Sequence, residues 1–488
     1  MQSDETTIRA FDAVKALAFI GDLSMGQPTD HSLRTAWLAG RLAQAAGLDD
    51  EACATAAEAS LLRWSGCTAN AAGFAQVMGD DIAGREAMLA QRADWAEPLQ
   101  SHGGTETALT PLAHIHCEVS GEVARMLDLG ETTQATLRNI FEAWDGHGIP
   151  SHAQGNAIPT PVFVVSMAGD LEIFGRIYGL DGALTLIAQR AGSRYPDELG
   201  TLAATHAASW LAELDRMPEG ELDVPLLTPR MREPTAPELI ADVIDLKLPW
   251  MTGFSREVAS TAASCSARMS LDTQARELVY LAGLVHGIGR TAVPNTTWNT
   301  PGKLSTSAWE KLRLVPYWTS RAGKQTGALR QAAELASHAY ERLDGSGYFR
   351  GASHALTLEA RILAASIAWV ALRSARPWRE AFSTVAAAAL LREEAANGRF
   401  DSHVVEALLT NDMVPTTRRH RQASSIQLSA RELDVLRLIG HGSSNKEAAR
   451  QLTLSPSTVR THVESVFRKL ECSTRATAVL KASAMGIM

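Results

Sequence analysis

Side chains able to meet a nucleic acid are gathered on one short stretch of this sequence, Ser455 to Leu470. Ser455-Pro456 opens a helix, the serine suited to capping and the proline to the first helical position. Val459, Val463, Val466 and Leu470 recur at helical spacing and face inward. That leaves Thr458, Arg460, Thr461 and Glu464 on the outer face of the first turns. A guanidinium there can hold O6 and N7 of a guanine together, and a carboxylate can accept from N4 of cytosine. Glu464 can equally brace Arg460 one turn away. Lys446, Ser455, Thr458, His462 and Lys469 are candidates for phosphate contact, which fixes register without reading sequence. The cysteines form no such site: Cys53, Cys67, Cys117, Cys265 and Cys472 are scattered and odd in number, a spacing that fits neither a zinc site nor a disulfide framework.

The elements that must hold this stretch are readable around it. Ser429 to Glu432 forms a capping box, Leu433, Leu436 and Ile439 give one apolar face, and Gly440 and Gly442 end that helix. Asn445 to Leu452 makes a second helix, and Thr453-Leu454-Ser455 turns into the third. A fourth, Thr474 to Met485, packs across the end. Two short helices joined by such a turn form a helix-turn-helix whose second member enters the major groove. Charge alone decides less. From Arg418 onward twelve basic residues face five acidic ones, a net +7; the whole chain carries −8, so the remainder carries −15. That asymmetry fits a nucleic-acid binder with a separate regulatory part and a merely solvated basic face equally.

This tail resembles the LuxR-type (GerE-like) helix-turn-helix at Leu428-Ser429, Arg431-Glu432, Gly442, Asn445-Lys446-Glu447, Ala449, Leu452, Ser455, Thr458-Val459, His462-Val463, Lys469-Leu470 and Arg475. The usual isoleucine after Glu447 is Ala448. The resemblance implies that Arg460, Thr461 and Glu464 face base edges. With +7 only, useful affinity for double-stranded operator DNA calls for a homodimer.

The acidic body repeats itself. Leu61-Leu62-Arg63-Trp64-Ser65-Gly66-Cys67 echoes Leu284-Val285-His286-Gly287-Ile288-Gly289-Arg290, and Trp144-Asp145-Gly146-His147-Gly148 echoes Leu343-Asp344-Gly345-Ser346-Gly347. Helical spacing runs through both copies, a proline cluster from Pro218 to Pro237 separates them, and no strand alternation of any length is visible. The expected fold is all-α: two helical repeats plus a four-helix tail. The expected boundaries are 5–220, 235–412, a linker at 413–425 and a tail at 426–488.

Over nearly all of residues 10–410 the body resembles tandem HD-GYP domains, a family of metal-dependent cyclic di-nucleotide phosphodiesterases. The resemblance rests on Glu341-Arg342-Leu343-Asp344-Gly345-Ser346-Gly347-Tyr348 with Arg350-Gly351, on Glu359-Ala360-Arg361-Ile362, on Arg376-Pro377-Trp378 and on Phe400-Asp401. The first copy matches more weakly, at Glu142 to Pro150 and Ile158-Pro159. The family's metal cage needs His and Asp ligands that activate water. In the second copy those positions hold Ser255, His286-Gly287, Arg290, Val315, Ala339-Tyr340 and Ile367 or Ser366. In the first, Arg63-Trp64 and Ile140-Phe141 replace four of them, and His31, His116 and Asp170 survive.

The resemblance with its ligands removed implies no catalytic residue, metal or cofactor, and hence no enzyme. It implies two degenerate pockets with His31, Trp64, His116, Phe141, Trp144, Asp170, His286, Tyr340 and Tyr348 as candidate contacts for a small-molecule effector of unknown identity. The same aromatics fit core filling, and His31 fits a satisfied helix histidine. No run approaches the ~18 apolar residues of a membrane span, so a cytoplasmic protein is expected. The reading is a ligand-responsive DNA-binding transcriptional regulator whose body senses and dimerises. The alternatives are a metal-dependent cyclic di-nucleotide phosphodiesterase with a residual site at His31, His116 and Asp170, and a protein-binding adaptor.

Overall fold

Helices account for nearly all regular structure in the computed structural model, which describes residues 6–218, 220–351, 356–410 and 427–488. The fold is all-α, as the periodicity implies. Its one correction is small: Ile8–Arg9 pairs antiparallel with Pro234–Thr235, two strands too short to leave an alternating pattern in the sequence. The linker expected at 413–425 lies outside the described residues. The chain divides into two compact units, Ile8–Thr235 and Ala236–Met488. No described helix is long and apolar enough to cross a membrane.

In the first unit the helices His31–Ala45, Asp50–Leu62 and Thr160–Arg190 share one core. Leu38, Leu42, Phe163, Met167 and Phe174 fill it and are all but sealed from solvent. Asp49 caps Asp50–Leu62 by accepting from the Ala52 N–H at 2.8 Å, and Asp50 and Glu51 oppose the helix dipole in the first turn. The stretch Thr160–Arg190 breaks at Gly179, where φ is +72°. Such a backbone favours glycine, and the break re-aims the last turns that carry Arg190.

The second unit holds Phe254–Arg268, Thr273–Val285 and Leu358–Arg373, then the four helices of the tail: Ala430–Gly440, Asn445–Leu452, Pro456–Leu470 and Arg475–Ala484. Ser429 and Glu432 close the capping box read from sequence. A second box, Ser444 with Glu447, opens the next helix. Val435, Leu436, Val459, Val466 and Leu470 form the tail's interior, and Ala448 is fully buried among them.

The two body copies carry the same bonds. Asp22 accepts from the Ser32 N–H at 3.1 Å and from its hydroxyl at 2.6 Å; ten residues apart likewise, Asp245 accepts from the Ser255 N–H and hydroxyl at 2.7 Å each. Glu142 accepts from the Ser151 N–H at 2.7 Å, and Glu341 from the Arg350 N–H at 2.8 Å. Asp145 and Asp344 each accept at 2.9 Å from the N–H two residues on, of His147 and Ser346. A Cβ on Gly66 would lie 2.3 Å from the His116 carbonyl, and one on Gly289 would lie 2.0 Å from that of Val315. His116 and Val315 therefore hold equivalent places. One residue must be moved: Ser255 matches Ser32, so the residue standing where His31 stands is Phe254. The Asp–Ser bond fixes this register, and the sequence echo alone could not.

Burial pushes the carboxyls of Asp22 and Asp245 each up to about 7. The folded chain then keeps protons that the unfolded chain has released, so the contribution of these groups falls as pH rises from about 4 to about 7. The double variant Asp22→Asn with Asp245→Asn should lose less of its urea midpoint than the unmodified chain between about pH 5 and about pH 7.

Candidate body cleft and nucleic-acid interface

One cleft of about 490 Å³ opens in the first unit, within the range of small-molecule sites. Arg63 follows directly on the helix Asp50–Leu62, and His116 projects from Gly104–Met126. Asp170 and Arg190 come from Thr160–Arg190, and Arg194 lies just beyond it. Trp64 and Phe141 stack as neighbours at 6.3 Å, with the His116 ring 4.7 Å from Phe141. The Arg63 guanidinium sits 4.3 Å from the centre of the Trp64 ring.

The polar groups are unevenly satisfied. His116 Nε2 donates to the Arg63 carbonyl at 2.8 Å, and Nδ1 faces Cys67 Sγ at 3.6 Å. Burial depresses this histidine to about 3, so it is neutral at physiological pH. Arg194 Nη1 donates to the Phe141 carbonyl at 2.9 Å. Arg190 Nε lies 3.0 Å from Asp170 Oδ2, an ion pair without hydrogen-bond alignment. Arg63 is 4% exposed, and its Nε and Nη1 have no hydrogen-bond partner among the described residues. Burial lowers its pKa to about 10, which leaves it charged. Its Nη1 lies so close to Gly169 that a Cβ there would be 1.9 Å away.

Of the nine body candidates, Trp64, His116, Phe141 and Asp170 line this cleft. His31 does not line it. Its Nδ1 bonds Glu172 at 2.5 Å; burial would raise that carboxyl, but His31 and Arg176 outweigh it and hold it at about 2. Trp144 packs edge-on against Phe163 at 5.5 Å, beside the core. In the second unit, His286 Nδ1 donates to the Gly283 carbonyl at 2.6 Å and its Nε2 meets the Arg290 guanidinium. Burial drives its pKa well below the usual value. Tyr340 and Tyr348 stack on each other at 4.9 Å. Sequence reasoning named Arg63 only as the replacement for a histidine, and passed over Arg190 and Arg194. The first carried a signal, a cation where a ligand belongs; the other two carried none.

A divalent metal, implied by the HD-GYP resemblance, does not fit these residues. Guanidiniums surround Asp170 where further anionic or neutral ligands would be needed, and both ring nitrogens of His116 already have neighbours. Among the described residues no three His, Cys, Asp or Glu converge as a metal site.

In the tail, Thr458, Arg460, Thr461 and Glu464 stand exposed on one face of Pro456–Leu470. Arg460 Nε donates to Glu464 Oε1 at 2.8 Å. Ser455 Oγ caps the helix by accepting the Thr458 N–H at 3.0 Å. Lys446 is exposed and His462 half-buried. Lys469 is placed differently from a free phosphate contact: its Nζ donates to Glu432 Oε2 at 2.6 Å and to the Gln427 carbonyl at 3.1 Å. Ser465 adds a bond to Glu432 Oε1 at 2.7 Å. Burial would raise Glu432, but these partners and Ser429 hold it at about 2.

Residues 238–404 match the model of the HD domain family, and residues 426–482 match that of bacterial regulatory proteins of the luxR family. The chain carries an HD domain followed by a LuxR-family regulatory domain. The 3′3′-cGAMP-specific phosphodiesterase 3 of Vibrio cholerae is 23% identical over 406 residues, covering 76% of this chain and 88% of that protein. The 3′3′-cGAMP-specific phosphodiesterase 1 of the same organism is 32% identical over 174 residues, 36% of this chain and 40% of that one. A further match, 40% identical over 77 residues, is to the HTH-type transcriptional activator RamA of Corynebacterium glutamicum, 16% of this chain and 27% of that protein. A solved cyclic GMP-AMP-specific phosphodiesterase of V. cholerae shares the fold with a TM-score of 0.60 at 21% identity, over 84% of this chain and 99% of its own. The expectation that the chain is not an enzyme is overturned by the two V. cholerae relatives, both named as phosphodiesterases, one of them matched over 76% of this chain.

Alanine at Gly169 would drive a methyl into the Arg63 guanidinium. Gly169→Ala should cost about 1–3 kcal/mol in a denaturant titration. Gly40→Ala, at a helical site with nothing within 4 Å of the added Cβ, should be neutral or stabilising by up to about 1 kcal/mol.

Proposed function

We propose that this chain is a DNA-binding transcriptional regulator whose HD-type body takes a cyclic di-nucleotide in the cleft of its first copy. The observation that carries the reading is the union of two parts in one chain. The tail matches the LuxR family and exposes Arg460 and Glu464 at the start of a helix-turn-helix second helix. The body is related over most of its length to a protein named as a cyclic di-nucleotide phosphodiesterase. The division into copies at 5–220 and 235–412 and a tail at 426–488 belongs to this reading, as do a homodimer on operator DNA and an effector-linked response.

The relatives favour a second reading of the same body, a cyclic di-nucleotide phosphodiesterase with activity of its own. The two readings differ in what becomes of the ligand. Full-length protein incubated with 3′3′-cGAMP or cyclic di-GMP, with and without manganese or iron, separates them by chromatography of the products. Linear dinucleotide that appears with metal and disappears with chelator supports the enzyme. Bound ligand recovered intact supports the sensor. No binding of either compound would defeat both.

In the tail, Arg460 is the proposed base reader and Lys446 the proposed phosphate contact. Arg460→Ala should cost about 1–3 kcal/mol per half-site and relax preference at one base pair. Lys446→Ala should weaken all sequences alike and reduce the salt slope by about one. Unchanged preference of Arg460→Ala across a randomised DNA library would remove Arg460 as a reader.

A further inference from the structure

The cleft of the first copy holds more positive charge than its own residues neutralise. Arg63, Arg190 and Arg194 gather about Asp170; Glu106 is the other carboxylate lining the cleft, and Glu142 adds its field at Arg194. Arg194 donates from Nη1 to the Phe141 carbonyl and, at 3.5 Å, from Nη2 to that of Ile140, and Arg190 lies against Asp170 without an aligned bond. Arg63 is the decisive group, because Nε and Nη1 are sealed from solvent yet have no hydrogen-bond partner among the described residues. A buried charge left unpaired costs far more than a paired one, and a guanidinium fork matches the oxygens of a phosphate. Packing has been arranged to keep this fork in place. Gly169 withholds a Cβ where Nη1 passes, and the Trp64 face supports the guanidinium plane.

We propose that this cleft is a metal-independent seat for a nucleotide phosphate, in which Arg63, Arg190 and Arg194 hold the phosphate oxygens. Neutral His116 adds no competing charge, and the half-buried Phe141 ring offers an aromatic surface for a base. The proposal rests on the reading of this cleft as a nucleotide site. It departs from that reading in assigning the grip on phosphate to arginines, so that binding needs no divalent cation.

The test is calorimetric titration of the full-length chain, freed of metal with EDTA, using three probes: 3′3′-cGAMP, guanosine monophosphate and inorganic phosphate. At least one nucleotide should bind saturably, with affinity unchanged by chelator or by added magnesium or manganese. Arg63→Met should weaken that binding about 10- to 100-fold, as loss of a charge-assisted bond implies, and Arg190→Met should weaken it in the same direction. The melting temperature of Arg63→Met should be unchanged or raised, since an unpaired buried charge has been removed; a scaffold arginine would lower it. Monophosphate or phosphate binding that needs Arg63, without binding of 3′3′-cGAMP, keeps the seat and defeats the cyclic di-nucleotide reading. Binding of 3′3′-cGAMP that is indifferent to Arg63, or that appears only with a divalent metal, overturns the seat and leaves that reading standing. Absence of binding by all three probes overturns the seat as well.

Discussion

A guanidinium buried at Arg63 without a full set of partners is the constraint on which the first unit's cleft depends. A charged group in that position demands a polar environment; a distant segment supplies a carboxylate at Asp170 and a bare backbone at Gly169, and the next residue, Trp64, supplies an aromatic plane. Burial holds His116 neutral against the bond to the Arg63 carbonyl, and the fields of Arg85 and then of the Arg63 guanidinium add to burial. Histidine, tryptophan and arginine thus share one cluster of contacts, the Arg63 guanidinium over the Trp64 ring and the Arg63 carbonyl on His116 Nε2.

The second copy keeps the frame and changes the contents. Its aspartate–serine clamp repeats that of the first copy atom for atom, and its glutamate-bonded turn keeps the bond to the N–H nine residues on but lacks the second one that Glu142 accepts from Ala153. Where the first copy places Arg63, the second places His286, already satisfied by Gly283 and Arg290. Phe254 fills the place of His31, and the stacked pair of Tyr340 and Tyr348 answers to Phe141 and Ile149. Backbone-bonding carboxylates carry the architecture, and the residues between them are free to diverge.

The tail was legible almost to the residue because its signals are local. Ser429, Glu432 and the Ser455-Pro456 pair cap helices within three positions of themselves, and the valine spacing sets the buried face. The Ser444–Glu447 box carried the same signal and went unread. The body cleft was legible only in part. Trp64, His116, Phe141 and Asp170 stood out as replacements or survivors of a motif, whereas Arg190 and Arg194 reach the site only because a kinked helix returns to it. The expectation of a non-enzyme failed for a different reason: the lost ligands concern individual positions, whereas the kinship to a protein named as a phosphodiesterase runs over 76% of the chain. Ser255 was misplaced by one position because a weak echo cannot fix register, while a hydrogen bond ten residues long in sequence can.

Glu432 ties together three parts of the tail that have no covalent reason to move as one. It closes the cap of its own helix at Ser429, accepts from Ser465 in the middle of Pro456–Leu470, and holds Lys469, which also grips the carbonyl of Gln427. Gln427 is where the described chain enters the tail. Through Lys469 the backbone at Gln427 is bonded directly to Pro456–Leu470, the helix that exposes Arg460, by a path that lies outside the hydrophobic interior.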